Sequence, residues 1–281
     1  MRLVTVPSAV HNDYFKWQLD LLWYGHRKAY GDEAKDKLFA CVAKRNWPNE
    51  AVNETCQWET DAPVHMVDVF FDYFKDDSRV DGWNGLHQPL NIPLAVKKAT
   101  ESLDDDVLLE VLDCDLVHFR PHPKIEIEHG QMVVCDIYEK WHLESKGKYK
   151  SVMDIYTGGS SKFYNGGFVP LIATVKTFKK IIPDWISILH HFNTLKYTTN
   201  VLWWGGMYAM NASCERNKVQ MIGKNYCYIP NANELSDTQY IAHYCCDHLF
   251  NKREFPQIDK SKFKDNQFYG LVSEWIDQRK A

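Results

Sequence analysis

The sequence lacks most of the features that assign a chain to a class at once. Its eight cysteines include no C-x-x-C pair, and several sit inside apolar runs, as Cys41 does between Leu38 and Ala43. In a chain of 281 residues this favours free, buried thiols and a reducing compartment over a disulfide framework. No apolar stretch approaches the roughly 18 residues that a membrane-spanning helix needs. Met1 to Ala9 alternate like a strand and lack the apolar core of a signal peptide. The chain as written is therefore expected to be soluble, unexported and cytoplasmic. Basic charge is not in excess: 33 Lys and Arg against 37 Asp and Glu give a net −4, which argues against a dedicated nucleic-acid partner. No repeat, low-complexity segment or Pro/Gly/Ser-rich linker divides the chain. Without a signal peptide, the glycosylation sequons at Asn53 and Asn211 read as chance matches.

What is present is a large apolar complement, 45% hydrophobic and 14% aromatic. A chain this long buries roughly 75% of its unfolded surface, so it needs no disulfide or metal staple to fold. The pattern alternates strands and helices through the first 120 residues. Leu3 to Pro7 reads as a buried strand, and Asp13 to Tyr30 as a helix with Asn12 as its cap. Lys37 to Ala43 and Pro63 to Phe71 read as strands. Ile92 to Leu103 reads as a helix opened by Pro93, and Val107 to Leu112 as an apolar strand except for Glu110. This order predicts an α/β fold with a mixed, mainly parallel sheet flanked by helices. In the second half, Gln131 to Tyr138 and Gly166 to Ile172 read as strands. Thr174 to Leu195 reads as a helix interrupted at Pro183, and Asn200 to Arg216 as another. A polar tail from Leu249 wraps the body and ends in a short helix near Leu271 to Gln278.

The most informative stretch is the apolar strand that ends in Asp113-Cys114-Asp115. Ligand sites of open α/β sheets lie beyond the carboxyl ends of their strands. Two like charges at such an end are costly unless a cation compensates them. A hard divalent ion, Mn²⁺ or Mg²⁺, would do so and could bridge to a diphosphate. Asp104, Asp105 and Asp106 precede the strand, at the wrong end of the sheet, and read as a solvated loop.

Asp113-Cys114-Asp115 resembles the D-x-D motif of nucleotide-sugar glycosyltransferases of the GT-A type. Further segments follow in order: Tyr14 to Gln18, Asn91 to Ala95, Asn165 to Pro170, Ile182 to Trp185, Trp203 to Tyr208, and His243-Tyr244. Together they resemble the hydroxyproline O-arabinosyltransferase and peptidyl-serine galactosyltransferase group, with its Y-x-x-W-Q start, N-x-P-x-A helix and late H-Y. The missing signal anchor is similar to that of soluble glycosyltransferases encoded by chloroviruses, which would place the protein in the host cytoplasm. The chain departs from the group in carrying Asp113-Cys114 where E-P is common, and Gly206 where Glu precedes Met-Tyr.

The resemblance implies a GT-A (Rossmann-like) domain over 1–281, with a nucleotide-sugar half (1–117) and an acceptor half (118–281). It implies a UDP-sugar donor, Mn²⁺ or Mg²⁺, and transfer of a sugar, with a pentose such as xylose favoured, to a glycan or glycopeptide hydroxyl. Asp113, Asp115 and His243 are the implied metal residues, Asp113 also reaching the ribose. Thr5, Val6 and Pro7, read as the end of the first strand, would meet the base and ribose. Asn91 would bond the nucleotide or donor sugar, or cap its helix. Asn165, Gly166 and Gly167 would let the backbone approach the sugar. Lys252, with Arg253, would clamp the diphosphate. Asp154 is the favoured base if the reaction inverts, with Asp72, Asp81, Asp136 and Glu215 as alternatives. Trp83, Trp203 and Trp204 could stack on sugars or fill the core. A zinc site at His243, Cys245, Cys246 and His248 has the wrong spacing, and His118 with His122 does not read as a helical metal pair. A sugar nucleotidyltransferase should carry a Gly-rich, basic loop after the first strand, and Pro7 to Asn12 hold neither Gly nor Lys nor Arg. A glycan-binding module on the same fold is the non-enzymatic alternative.

Overall fold

A computed structural model describes residues 1–10, 13–43, 62–67, 91–135, 153–159, 168–194, 199–230, 233–244 and 259–280. Its main sheet has seven strands. The first four are β1 (Leu3–Val10), β2 (Ala40–Ala43), β3 (Val64–Val67) and β4 (Leu108–Asp113). After β5 (Leu116–His118) come β6 (Gln131–Cys135), β7 (Phe168–Thr174) and β8 (Gln220–Lys224). The order across the sheet is β3-β2-β1-β4-β7-β6-β8. Four of the six neighbouring pairs are parallel, and only β7 runs against its neighbours β4 and β6. The sheet is thus mixed and mainly parallel, as the alternating pattern predicts.

Helices flank this sheet. These are α1 (Asp13–Tyr30), α2 (Asn91–Ser102), α3 (Val175–Thr194) and α4 (Thr199–Arg216). Residues α2 buries, Leu94, Ala95, Val96 and Ala99, join Val4, Val6, Leu109 and Val111 of the sheet in the main core. On the opposite face lies a three-stranded sheet, β5-β10-β9, formed with β9 (Cys227–Tyr228) and β10 (Ile241–His243). α5 (Gln267–Lys280) closes over it, and its Trp275 ring lies 6.2 Å from Trp17 of α1. Ion pairs Lys28–Glu274 at 2.9 Å and Arg279–Asp20 fasten α5 to α1.

Several boundaries differ from the sequence reading. β1 does not end at Pro7 but continues to Val10, because β2 and β4 pair it on both sides. Residues 31–37 form a 3₁₀ turn, and β2 begins only at Ala40. Pro183 does not interrupt α3. The backbone bond that proline removes would have used the carbonyl four residues earlier, on Lys179, and both residues face solvent, where water can replace it. Buried Trp185, whose Nε1 donates to Gly206 O at 2.9 Å, holds the same helix against α4. The tail helix, α5, is longer than predicted. Strands β5, β9 and β10, two or three residues each, escape periodicity altogether.

The buried Cys41, Cys114, Cys135, Cys214 and Cys227 are thiols and not part of disulfides. Asn211 lies inside α4 at 5% exposure with its amide donating to Met207 O, so its sequon is a chance match. Among the described residues, no helix is long and apolar enough to cross a membrane.

Candidate active site

The strand order places a switch point at β1. The chain leaves β1 toward β2 and β3, then returns to its other side as β4. In open α/β sheets the crevice beyond such a point is where ligands bind. Asp113, the last residue of β4, stands there in register with Ser8 of β1. A tight turn follows, in which Asp113 Oδ1 accepts from Cys114 N at 2.8 Å. The Cys114 thiol is buried and donates to Gln18 Oε1 of α1 at 3.7 Å, so the turn is seated on the helix that follows β1.

The turn delivers Asp115 to β10. β5 and β10 pair antiparallel with Leu116 opposite His243, and Tyr244 N donates to Asp115 O at 3.1 Å. As a result Asp115 Oδ1 lies 3.0 Å from His243 Nε2, with side chains 13% and 11% exposed. The pair is sheltered yet open to a ligand. Tyr244 is buried, with its ring 6.1 Å from Trp17. The Tyr14-to-Gln18 segment and the His243-Tyr244 dipeptide, distant in sequence, therefore meet at one place.

Among the described residues, no group of three or more His, Cys, Asp and Glu side chains is placed to hold a metal ion. The donor set, one carboxylate and one imidazole with Asp113 at the strand end before them, nevertheless suits a hard divalent ion. Mg²⁺ and Mn²⁺ sites draw few ligands from the protein and take the rest from water and substrate phosphates. The same set does not suit structural zinc, which takes four protein ligands.

Beneath the turn lies a polar cluster that the sequence reading passed over. Glu110, in the middle of β4, is fully buried. It accepts from Thr5 Oγ1 at 2.8 Å and Tyr240 OH at 2.6 Å, and lies 2.9 Å from His118 Nε2. Burial by itself raises its carboxyl; the His118 charge and the hydrogen bonds outweigh that and hold it down to about 2. His26 of α1 stands 5.2 Å from the His118 ring. Burial, with the neighbouring His118 charge, pushes His26 down to about 3. A Glu in a strand otherwise apolar from Val107 to Leu112 was the available sign, since a buried carboxylate must be partnered.

The other predicted residues divide into three groups. Thr5 and Val6 are fully buried inside β1, and Pro7 is buried beside them, which corrects their placing at the strand end. Thr5 spends its hydroxyl on Glu110, and the residues level with Asp113 are Ser8 and those after it. Asn91 opens α2 and is half-buried; α2 runs back from β3 to β4, so its first turn lies at the carboxyl edge of the sheet. Asp154 is half-buried in a helical turn at 153–157. That turn rests on α3 and α4: Tyr156 OH contacts His191, and Arg216 donates to Tyr156 O at 3.0 Å. Glu215 lines a cavity beside this turn with Tyr156, Thr157 and Asp184. Lying outside the described residues are Asn165, Gly166, Gly167, Lys252, Arg253, Asp72, Asp81, Asp136, Trp83, Cys245, Cys246, His248 and the side chains of Trp203 and Trp204. His118 is a strand residue bound to Glu110, and His122 Nδ1 contacts Pro123 O at 2.7 Å. Asp105 pairs with Lys179 at 2.7 Å on the surface, at the opposite end of β4 from Asp113.

No protein-family model matches the chain, and no curated protein matches it. Among solved structures it is similar to the galactosyltransferase LgtC in complex with donor and acceptor sugar analogs. That match has 13% identity and a TM-score of 0.50, over 98% of this chain and 96% of that one. It is also similar to an active-site mutant of LgtC, at 14% identity and a TM-score of 0.49, over 96% of each chain. With the strand order, the first likeness gives this chain the GT-A fold.

Proposed function

We propose that the protein is a metal-dependent glycosyltransferase that moves a sugar from a UDP-sugar to a hydroxyl of a glycan or glycopeptide, with a pentose such as xylose as the favoured sugar. The observation that carries the reading is the meeting of Asp115 and His243 at 3.0 Å, beyond the switch point of a GT-A sheet. Support also comes from the order of motifs resembling the arabinosyl- and galactosyltransferase group, and from a fold shared with a galactosyltransferase that binds donor and acceptor sugar analogs. In this reading Asp115 and His243, with Asp113, hold Mn²⁺ or Mg²⁺. The ion would offset the charge that gathers on the diphosphate as its bond to the sugar breaks.

The chain's own residues do the rest. The end of β1, from Ser8 to Val10, receives the base and ribose, and Asn91 at the start of α2 faces the same edge. Residues 1–117 form the donor side and residues 118–281 the acceptor side, with His243 returning from the second half to complete the first. Asn165, Gly166 and Gly167 approach the donor sugar, Lys252 meets the diphosphate, and Asp154 takes the acceptor proton if the reaction inverts.

The test is a thermal-shift panel of UDP-sugars with and without Mn²⁺, on the native chain, Asp115→Ala and His243→Ala. Stabilisation by one UDP-sugar that requires Mn²⁺ and is lost in both variants is the expected result. Full transfer activity in metal-free buffer would overturn the metal assignment. Condensation of a sugar phosphate with UTP would show a nucleotidyltransferase instead, and glycan binding with no turnover of any UDP-sugar would show a binding module.

A further inference from the structure

We infer that Glu110 is a positioning residue for the Asp115–His243 pair, acting through His118 and Tyr240 on the two strands that carry it. The inference rests on reading that pair as the metal and diphosphate site.

A buried carboxylate in a central strand needs a reason. Replacing a buried ionic cluster with well-packed apolar groups is often neutral or stabilising, so stability alone does not explain Glu110. The best-attested use of such groups is to fix register. The three partners of Glu110 come from three segments: Thr5 in β1, His118 at the end of β5, and Tyr240 immediately before β10. Asp115 immediately precedes β5, and His243 ends β10. The ladder between the two strands has only three rungs, Ile241↔His118, Ala242↔Val117 and His243↔Leu116. A ladder so short fixes its register weakly. Glu110 grips it at the His118–Ile241 end, and the candidate metal residues lie at the other, roughly 7 Å along the strand.

The grip is specific in geometry. Glu110 Oε2 faces Thr5 and His118, while Oε1 accepts from Tyr240. His118 Nδ1 is buried with no hydrogen-bond partner among the described residues, where only the ring nitrogen facing Glu110 is anchored. Tyr240 O in turn accepts from Phe119 N at 3.1 Å, which locks the chain after β5 to the residue before β10. Losing the carboxylate frees the ladder to shift. A displacement of under 1 Å is enough to spoil a two-residue ligand pair.

The experiment compares three proteins with the native chain. Tyr240→Phe removes one buried hydroxyl. The triple variant Glu110→Leu, His118→Leu, Tyr240→Phe replaces the cluster with apolar groups. Asp115→Asn serves as the reference for a lost Asp115–His243 contact. Three quantities are read: the melting temperature, Mn²⁺ affinity without nucleotide, and the His243 ring ¹⁵N resonances at one fixed pH in metal-free buffer. Tyr240→Phe is expected to stay folded, bind Mn²⁺ about 3- to 10-fold more weakly, and move the His243 resonances toward their position in Asp115→Asn. The triple variant should do so more strongly, without a matching loss of melting temperature. Unchanged His243 resonances and Mn²⁺ affinity in a folded Tyr240→Phe protein overturn the inference, whether or not the triple variant folds. Should the native chain bind no Mn²⁺ while the resonances still move, the positioning role stands and the metal reading fails.

Discussion

Gly25 tests how tightly the site's foundation is seated. It lies inside α1, where glycine costs about 1 kcal/mol relative to alanine. An alanine Cβ at this position would lie 2.3 Å from His118 O and 2.4 Å from Val117 Cγ2, both in β5. One of these is backbone, held in the β5–β10 ladder, and cannot swing aside as a side-chain tip can. Relief therefore requires α1 and β5 to part by roughly 1 Å, an overpacking that typically costs about 1–3 kcal/mol. Offset by the gain in helix propensity, Gly25→Ala should destabilise the protein by up to about 2 kcal/mol, or roughly 4 °C in melting temperature at most. Gly270 in α5 is the control, because none of the described residues lies within 4 Å of its Cβ position. Gly270→Ala should stabilise by about 0.5–1 kcal/mol. Thermal melts of the two single variants at one pH and salt concentration decide the matter. If Gly25→Ala melts above the native temperature by as much as Gly270→Ala, as an unconstrained helical glycine would, the close seating of α1 on β5 is wrong.

Two further outcomes follow from the buried groups. Acid should destabilise the fold in two overlapping ranges. His26 takes up a proton near 6.5 when unfolded but near 3 when folded, so stability falls as pH drops from about 6.5 toward 3. Glu110 keeps its charge in the fold down to about 2 against an ordinary 4.5, so its contribution is lost as pH falls from about 4.5 toward 2. Urea midpoints that stay level from pH 6.5 to 4.5 would count against the His26 shift, and midpoints that stay level from pH 4.5 to 2.5 against the Glu110 shift. Burial pushes the Cys41 and Cys214 thiols up to about 12. A disulfide reagent at pH 8 should therefore leave both unmodified in the native chain and label them in urea, and peptide mass mapping that finds native labelling at the urea rate refutes this.

The sequence carried the α/β order, because strands such as β1 and β4 are long enough for their apolar runs to stand out. It also singled out the end of β4 as a candidate site, because a buried strand that stops in two carboxylates is uncommon without a counter-charge. Helix α3 was legible apart from its continuity. Pro183 reads as a break locally, and only the exposure of its face and the anchoring of Trp185 show why the helix survives.

Other features were decided by tertiary structure. The end of β1 depended on pairing with two neighbours, which no local pattern encodes, and so the residues beside Asp113 moved from Thr5–Pro7 to Ser8 and beyond. The meeting of Asp115 with His243 was suggested by resemblance, but its physical cause is a three-rung ladder too short to have a period. Glu110 looked like an exception in an apolar strand, and its meaning lay in partners from β1, β5 and the approach to β10. Sequence determines which residues can be buried and which backbone shapes they favour. Where two distant segments meet is set by long-range pairing and packing, and it is there that this chain brings its carboxylate and imidazole within reach of each other.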